Sequence, residues 1–244
     1  TTGTIMTFRY NPYLAEWSPF HGAMYAVLEA VGKVVAIGGD YRKIRLTLQE
    51  YFPKLGQDPK KWGKPVSALL GAYYAQKRLG IPAIGGKDSM SGTFKDLEVP
   101  PTLVAFAVCP VKVNRVISQE FKNINQPVIM LTVPRDSAGV PDFTKAKVIY
   151  DKVHQYIQTG KVSASYTIKM GGLAEAISKM CFGNKIGFRF AKNLTEQELF
   201  SPDYGGIILE LRDQSDWQEY FSEIQPILLG YTQIQPVIQV NNTI

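Results

Sequence analysis

One segment of the 244-residue chain gathers residue types suited to chemistry at phosphate: Ile81-Pro82-Ala83-Ile84-Gly85-Gly86-Lys87-Asp88-Ser89-Met90-Ser91-Gly92. A short apolar stretch, read as a buried strand over 81–84, runs into two glycines. These permit a turn and leave backbone N–H groups free to approach an anion. Lys87 supplies a point positive charge, Asp88 a hard oxygen ligand for Mg²⁺, and Ser89 and Ser91 two hydroxyls at alternate positions. Neither the GxxxxGK[ST] nor the GxGxxG spacing is present. By composition alone, Gly-Gly-Lys-Asp-Ser also describes a plain turn.

Other candidates lie further away. Glu29, on an Ala/Val-rich helix, is a metal ligand if it faces that loop and a solvated charge if it does not. Gly171 and Gly172 precede a helix; they expose an N-terminus to an anion, or simply turn the chain from strand to helix. His21 stands at a helix start and is read as a local hydrogen-bonding residue. His154 is read as a surface side chain. Neither histidine has the neighbours of a triad or metal cluster.

These residues need elements to hold them. Residues 4–9 read as a short strand ending at Asn11-Pro12. Ser18-Pro19 opens a helix, Ser as N-cap and Pro in the first position, which runs to a stop at Gly38-Gly39. Over 42–50, Ile44, Leu46 and Leu48 alternate with Arg45, Thr47 and Gln49, the pattern of a half-buried strand. A second helix is expected over 65–79, stopped by Gly80, with 62–65 as a loop packed over it. A strand follows at 102–108. The polar stretch 118–126 divides the chain into domains 1–118 and 119–244. Beyond it, strands are expected at 127–133, 161–167, 185–189, 206–211, 227–232 and 236–240. Helices are expected at 142–158, 171–180, 195–200 and 213–224. The class is α/β or α+β, in two layers without internal repeats.

Composition narrows the classes further. With 45% apolar and 20% charged residues, the chain is not disordered as a whole. No run approaches 18 apolar residues, so no spanning helix and no membrane partner are expected. Residues 1–118 carry 15 Lys/Arg against 8 Asp/Glu, and residues 119–244 carry 12 against 13, so the net +6 resides in the first part. Nucleic acid, a phosphorylated small molecule or plain solvation could use that excess. Lys60, Lys61 and Lys64 are read as a solvated face with no aromatic interleaving beyond Trp62, and no nucleic-acid partner is expected. Cys109 and Cys181 lie far apart without metal spacing, as buried free thiols of a reducing compartment would. The chain lacks an initiator Met and a signal-peptide pattern, so a piece of a longer cytoplasmic protein is expected. The sequons at 193–195 and 241–243 are read as chance.

The spelling Gly85-Gly-Lys-Asp-Ser-Met-Ser91 resembles the signature of the phosphoribosylformylglycinamidine synthase (formylglycinamide ribonucleotide amidotransferase) family. The likeness extends over about residues 4–190. It takes in Asn11-Pro12-Tyr13, Trp17-Ser18-Pro19, Gly22-Ala23, Gln49-Glu50-Tyr51-Phe52, Trp62-Gly63-Lys64-Pro65 and Ala68-Leu69-Leu70-Gly71-Ala72. It continues through Val99-Pro100-Pro101-Thr102-Leu103, Gly171-Gly172-Leu173-Ala174-Glu175-Ala176 and Met180-Cys181-Phe182-Gly183-Asn184.

The resemblance implies an ATP- and glutamine-dependent ligase of purine synthesis that converts formylglycinamide ribonucleotide to the amidine. The family's synthetase core resembles two fused copies of the aminoimidazole ribonucleotide synthetase fold. This chain looks like the second copy, with an incomplete N-terminal domain and an auxiliary site for ATP or ADP with Mg²⁺. By resemblance, Gly85, Gly86, Lys87, Asp88, Ser89, Ser91, Gly171 and Gly172 bind nucleotide phosphates, and Glu29 and Asp88 hold the metal. The implied partners are the other synthetase half and a glutaminase domain, with self-association of this chain through exposed edges; alone it should not catalyse the overall reaction. Two departures stand out. Lys33 occupies a place where large family forms carry a metal-binding Asn, and Tyr166-Thr167-Ile168-Lys169-Met170 replaces an acidic ligand before Gly171. Either ammonium groups replace magnesium as counter-charges, or the pocket is vestigial and the chain a silent scaffold.

Overall fold

Asn11 and Ser18, each followed by proline, start two helices in succession. Their side-chain oxygens accept the N–H groups of Leu14 and His21, which have no partner inside the helix. The computed structural model describes residues 1–212, 216–241 and 243. It opens with β1 (Thr2–Arg9), α1 (Pro12–Trp17), α2 (Pro19–Ala36) and β2 (Arg45–Tyr51).

Next come α3 (Pro59–Leu79), β3 (Ala83–Lys87), a small hairpin β4 (Thr93–Phe94) and β5 (Leu97–Glu98), and β6 (Thr102–Lys112). α3 begins six residues before the expected start. Asp58 caps it through the Lys60 N–H and Pro59 takes the first position, so Pro65 lies inside the helix rather than opening it. The segment 62–65 is therefore helical, not a loop. Gly80 ends α3 in the left-handed conformation, as expected.

The second half runs β7 (Pro127–Leu131), α4 (Phe143–Gln158), β8 (Val162–Thr167), α5 (Gly172–Phe182), β9 (Gly187–Phe190), α6 (Glu196–Phe200), β10 (Ile207–Leu211), α7 (Trp217–Tyr220), β11 (Ile227–Gln233) and β12 (Ile238–Gln239). In place of a helix over 213–224 there is the single turn of α7 followed by a 3₁₀ turn at Ser222–Ile224. Residues 213–215 of that expectation, and Asn242 of the second sequon, lie outside the described residues.

Two sheets flank the segment 113–126. The first has the order β1-β6-β2-β3, antiparallel except that β3 runs parallel to β2; the second has the order β12-β9-β11-β7-β10-β8. On the first sheet, Ile5, Leu46, Ala105 and Ala107 point into the core against α2, while Met6 and Phe8 on the opposite face are exposed. α2, α3 and α4 share one core with both sheets, through residues such as Met24, Leu28, Ala72, Tyr150 and Ile207. A second core gathers Phe121, Phe188, Met180 and Cys181 beneath α5. Glu210, fully buried, accepts the Lys122 and Asn123 N–H groups at 2.8 Å each and so ties segment 113–126 to β10.

Candidate functional site

The Gly-Gly-Lys stretch is not a turn. Gly85, Gly86 and Lys87 lie in β3, at an exposed sheet edge, opposite Thr47, Leu48 and Gln49 of β2. Only Ile81 of the expected buried strand 81–84 is buried. A Cβ on Gly86 would come within 2.4 Å of the Leu48 carbonyl oxygen, so close strand approach explains this glycine; at Gly85 there is open space. The loop that follows is zippered to the end of β2. Ser89 N–H donates to Glu50 O at 3.1 Å, and Phe52 N–H to Ser89 O at 2.9 Å. The hydroxyls of Ser89 and Ser91 meet at 2.9 Å. Lys87 and Asp88 project into solvent.

Beside Asp88 stands a residue the sequence did not single out for chemistry. Glu50 is buried at the end of β2, and its Oε1 has no hydrogen-bond partner. Burial, then the Asp88 charge, pushes its carboxyl up to about 7.

Glu29 belongs to a second cluster. It sits on the buried face of α2, 2% exposed, with Oε2 at 2.8 Å from Arg9 Nε at the end of β1. Its Oε1 has no hydrogen-bond partner. Burial pushes this carboxyl up to about 7, opposed by Arg9, Lys33 and Lys169. Lys33, one turn along α2, donates from Nζ to the Phe8 carbonyl oxygen at 2.8 Å. Burial, then Lys169 and Arg9, pulls its ammonium down to about 8. Lys169 Nζ stands 2.5 Å from the Tyr166 hydroxyl, in the loop between β8 and α5. Arg9 thus pairs directly with one buried carboxylate, while Lys33 and Lys169, each bonded elsewhere, act on it only through their charge.

The N-terminus of α5 is already in use. Gly171 N–H donates to Glu175 Oε2 at 3.0 Å, and Lys179 Nζ pairs with Glu175 Oε1 at 2.5 Å. Gly172 has φ +64°, and a Cβ there would lie 2.5 Å from Leu199 O. Its place is set by chain packing against the end of α6.

The expected site residues therefore do not form one cluster. Lys87, Asp88, Ser89 and Ser91 gather with Glu50 at the β3 edge; Glu29 pairs with Arg9 at the end of β1, and Gly171 and Gly172 stand at the start of α5 against Glu175 and the end of α6. β1 and β3 are opposite edges of the four-stranded sheet, about 14 Å apart at three strand spacings. The structure does not bring Glu29 and Asp88 together. Mg²⁺ requires converging oxygen ligands, whereas the partner of the Glu29 carboxylate is the Arg9 guanidinium. Among the described residues no group of three His, Cys, Asp or Glu side chains could hold a metal. A shared magnesium does not fit these residues; anionic phosphate suits the cations.

The remaining candidates keep structural roles. His21 Nδ1 meets Ser18 Oγ at 2.8 Å, and its Nε2 meets the Ala138 carbonyl oxygen at 3.0 Å. His154 is half-buried with Nδ1 at 3.1 Å from Gly38 O, so it is more than a surface side chain. Both cysteines are buried and free. A cavity of about 370 Å³ between Trp17, Tyr25, Arg135 and Tyr204 had no signal in the sequence. No helix among the described residues is long and apolar enough to cross a membrane.

No protein-family model matches the chain. Phosphoribosylformylglycinamidine synthase subunit PurL of Methanocaldococcus jannaschii is 27% identical over 245 residues, covering 87% of this chain and 33% of that protein. The PurL of Methanococcus aeolicus is 23% identical, covering 90% of this chain and 33% of its own length. The chain thus spans about a third of these relatives. Among solved structures, PurLQS from Thermotoga maritima superposes with a TM-score of 0.81 at 14% identity, over all of this chain and 43% of that one. The hydrogenase maturation protein HypE in complex with ATP superposes at 0.70 and 14% identity, over 96% of this chain and 77% of that one. Over most of its residues, the chain is a homologue of part of the PurL subunit of phosphoribosylformylglycinamidine synthase, in the aminoimidazole-ribonucleotide-synthetase-like fold.

Proposed function

We propose that the chain serves as one aminoimidazole-ribonucleotide-synthetase-like half of a cytoplasmic ligase that converts formylglycinamide ribonucleotide to the amidine with ATP and glutamine. Solved T. maritima PurL structures hold formylglycinamide ribonucleotide (FGAR) and ATP, which supports this substrate class. In this reading the halves 1–118 and 119–244 are domains of one module, and an auxiliary ATP or ADP binds by its phosphates. The observation that carries the reading is a buried carboxylate, Glu29, paired with Arg9 and lying within the field of Lys33 and Lys169. Lys33 and Lys169 offer phosphate counter-charge that magnesium would otherwise supply. Lys87 and the hydroxyls of Ser89 and Ser91, with the unpaired edge of β3, offer donors at the opposite side.

The partners are the other synthetase half and a glutaminase. The exposed Met6 and Phe8, on the outer face of the first sheet, support apolar pairing there with that half or with a second copy.

The scaffold reading keeps one observation of its own: Lys33 and the Gly171 N–H already have partners, Phe8 O and Glu175. Ammonia-dependent turnover of formylglycinamide ribonucleotide by the assembled synthetase separates the two. Lys33→Met with Lys169→Met should lower turnover at least about tenfold if these cations act at phosphate. Unchanged turnover supports the scaffold, and an assembly without any turnover contradicts the ligase reading itself.

A further inference from the structure

The outward side of α3 is apolar where solvent should favour polarity. Trp62, Val66, Leu69, Leu70 and Tyr73 are all about half exposed. They recur at intervals of three and four residues and so form one stripe along the helix. The opposite face is already used, since Pro65, Ala68, Ala72, Ala75 and Leu79 are buried in the core. The stripe is thus a second apolar face on a helix whose first face holds the fold.

Its charge is one-sided. Pro59–Leu79 contains five basic residues, Lys60, Lys61, Lys64, Lys77 and Arg78, and no acidic one. Lys61 is neutralised by Glu98 of the β4–β5 hairpin at 2.5 Å. Lys60, Lys64, Lys77 and Arg78 remain exposed, Lys77 above the Tyr73 ring at the end of the stripe. The stripe is also preordered: Trp62 Nε1 donates to Gly56 O at 3.0 Å, which fixes the largest ring at one end.

We propose that this face docks an amphipathic helix of another polypeptide that carries acidic residues beside its own apolar row. Apolar anchors at helical spacing supply the contact area, and the unpaired lysines select the sign of the partner. A second copy of the chain would set these lysines against each other. The surface does not use Arg9, Lys33 or Lys169.

The test uses two synthetic 18-residue helix-forming peptides, each with leucine on one face and either glutamate or lysine on both borders. Trp17→Phe removes the other exposed indole, so a change in emission reports Trp62. The glutamate peptide should bind at least about tenfold tighter than the lysine peptide, and the gap should shrink as salt rises. Leu70→Gln should weaken binding of the glutamate peptide about tenfold while leaving the circular dichroism unchanged. Equal binding of both peptides, or none, overturns the proposal. So does a Trp62 response to vesicles of anionic phospholipid without a response to the peptide. A dimer that Leu70→Gln dissociates would reassign the face to a second copy and would equally overturn it.

Discussion

Glu29→Gln should change how the stability of this protein depends on pH. In the fold the Glu29 carboxyl sits at about 7 instead of 4.5, because burial penalises its charged form more than Arg9, Lys33 and Lys169 stabilise it. A raised carboxyl favours the protonated fold. Its contribution is fully present below pH 4.5, fades as pH rises from 4.5 to about 7, and is absent above. A displacement from 4.5 to about 7 corresponds to about 3 kcal/mol across that window. Glutamine keeps the shape and does not titrate. Groups that do not interact with Glu29, such as Glu50, cancel in the difference, and Lys33, which does, titrates mainly above this window. Urea unfolding of both proteins between about pH 4 and pH 7.5 gives that difference directly. The wild type should lose about 3 kcal/mol relative to the glutamine variant as pH rises. Parallel pH profiles would mean that Arg9, Lys33 and Lys169 fully offset the burial, and would refute the raised Glu29 carboxyl. Millimolar Mg²⁺ should leave the difference unaltered, because no oxygen cage surrounds the carboxylate. A magnesium-dependent gain confined to the wild type would contradict that geometry.

Neighbouring positions give further tests. Gly86→Ala should cost about 1–3 kcal/mol in unfolding free energy, since its Cβ would press on Leu48 O, while Gly85→Ala should stay within about 0.5 kcal/mol. Glu210→Ala should cost about 2–4 kcal/mol and speed hydrogen exchange at the Lys122 and Asn123 amides, whose buried acceptor it removes. Phe8→Glu should reduce self-association in sedimentation while the thermal midpoint changes little, because the ring lies on the exposed face of the first sheet.

The elements read well where local chemistry decided them. Ser18 caps its helix as expected, Asp142 and Thr195 prove to be the caps of helices expected to begin at those residues, and Gly80 ends α3 as a left-handed stop. Of the alternation Ile44, Leu46, Leu48, Leu46 is buried and Leu48 partly buried on the inward face of β2, and Ile44 is buried just before the strand begins. Readings failed where local signals competed. Pro65 looked like a helix start because proline suits that position, but Asp58 and Pro59 offered an earlier one. Gly85-Gly86 looked like a turn because two glycines permit it, but their lack of side chains instead lets β3 press against β2. The candidate site was legible only in its residue types. Spelling singled out Lys87, Asp88, Glu29 and the lysine replacements. Arg9 and Glu50 were not picked out, because their roles arise from strand pairing and burial that no local pattern encodes. The separation of Glu29 from Asp88 is likewise a property of strand order, β1-β6-β2-β3, which local periodicity cannot supply.

The most direct measurement is calorimetric titration of the protein with ADP, with and without Mg²⁺, repeated on the Lys33→Met, Lys169→Met double variant. ADP should bind without magnesium, and the double variant should bind at least about tenfold more weakly. Binding that requires magnesium and is lost in Asp88→Ala while surviving the lysine changes would contradict the cation-based site.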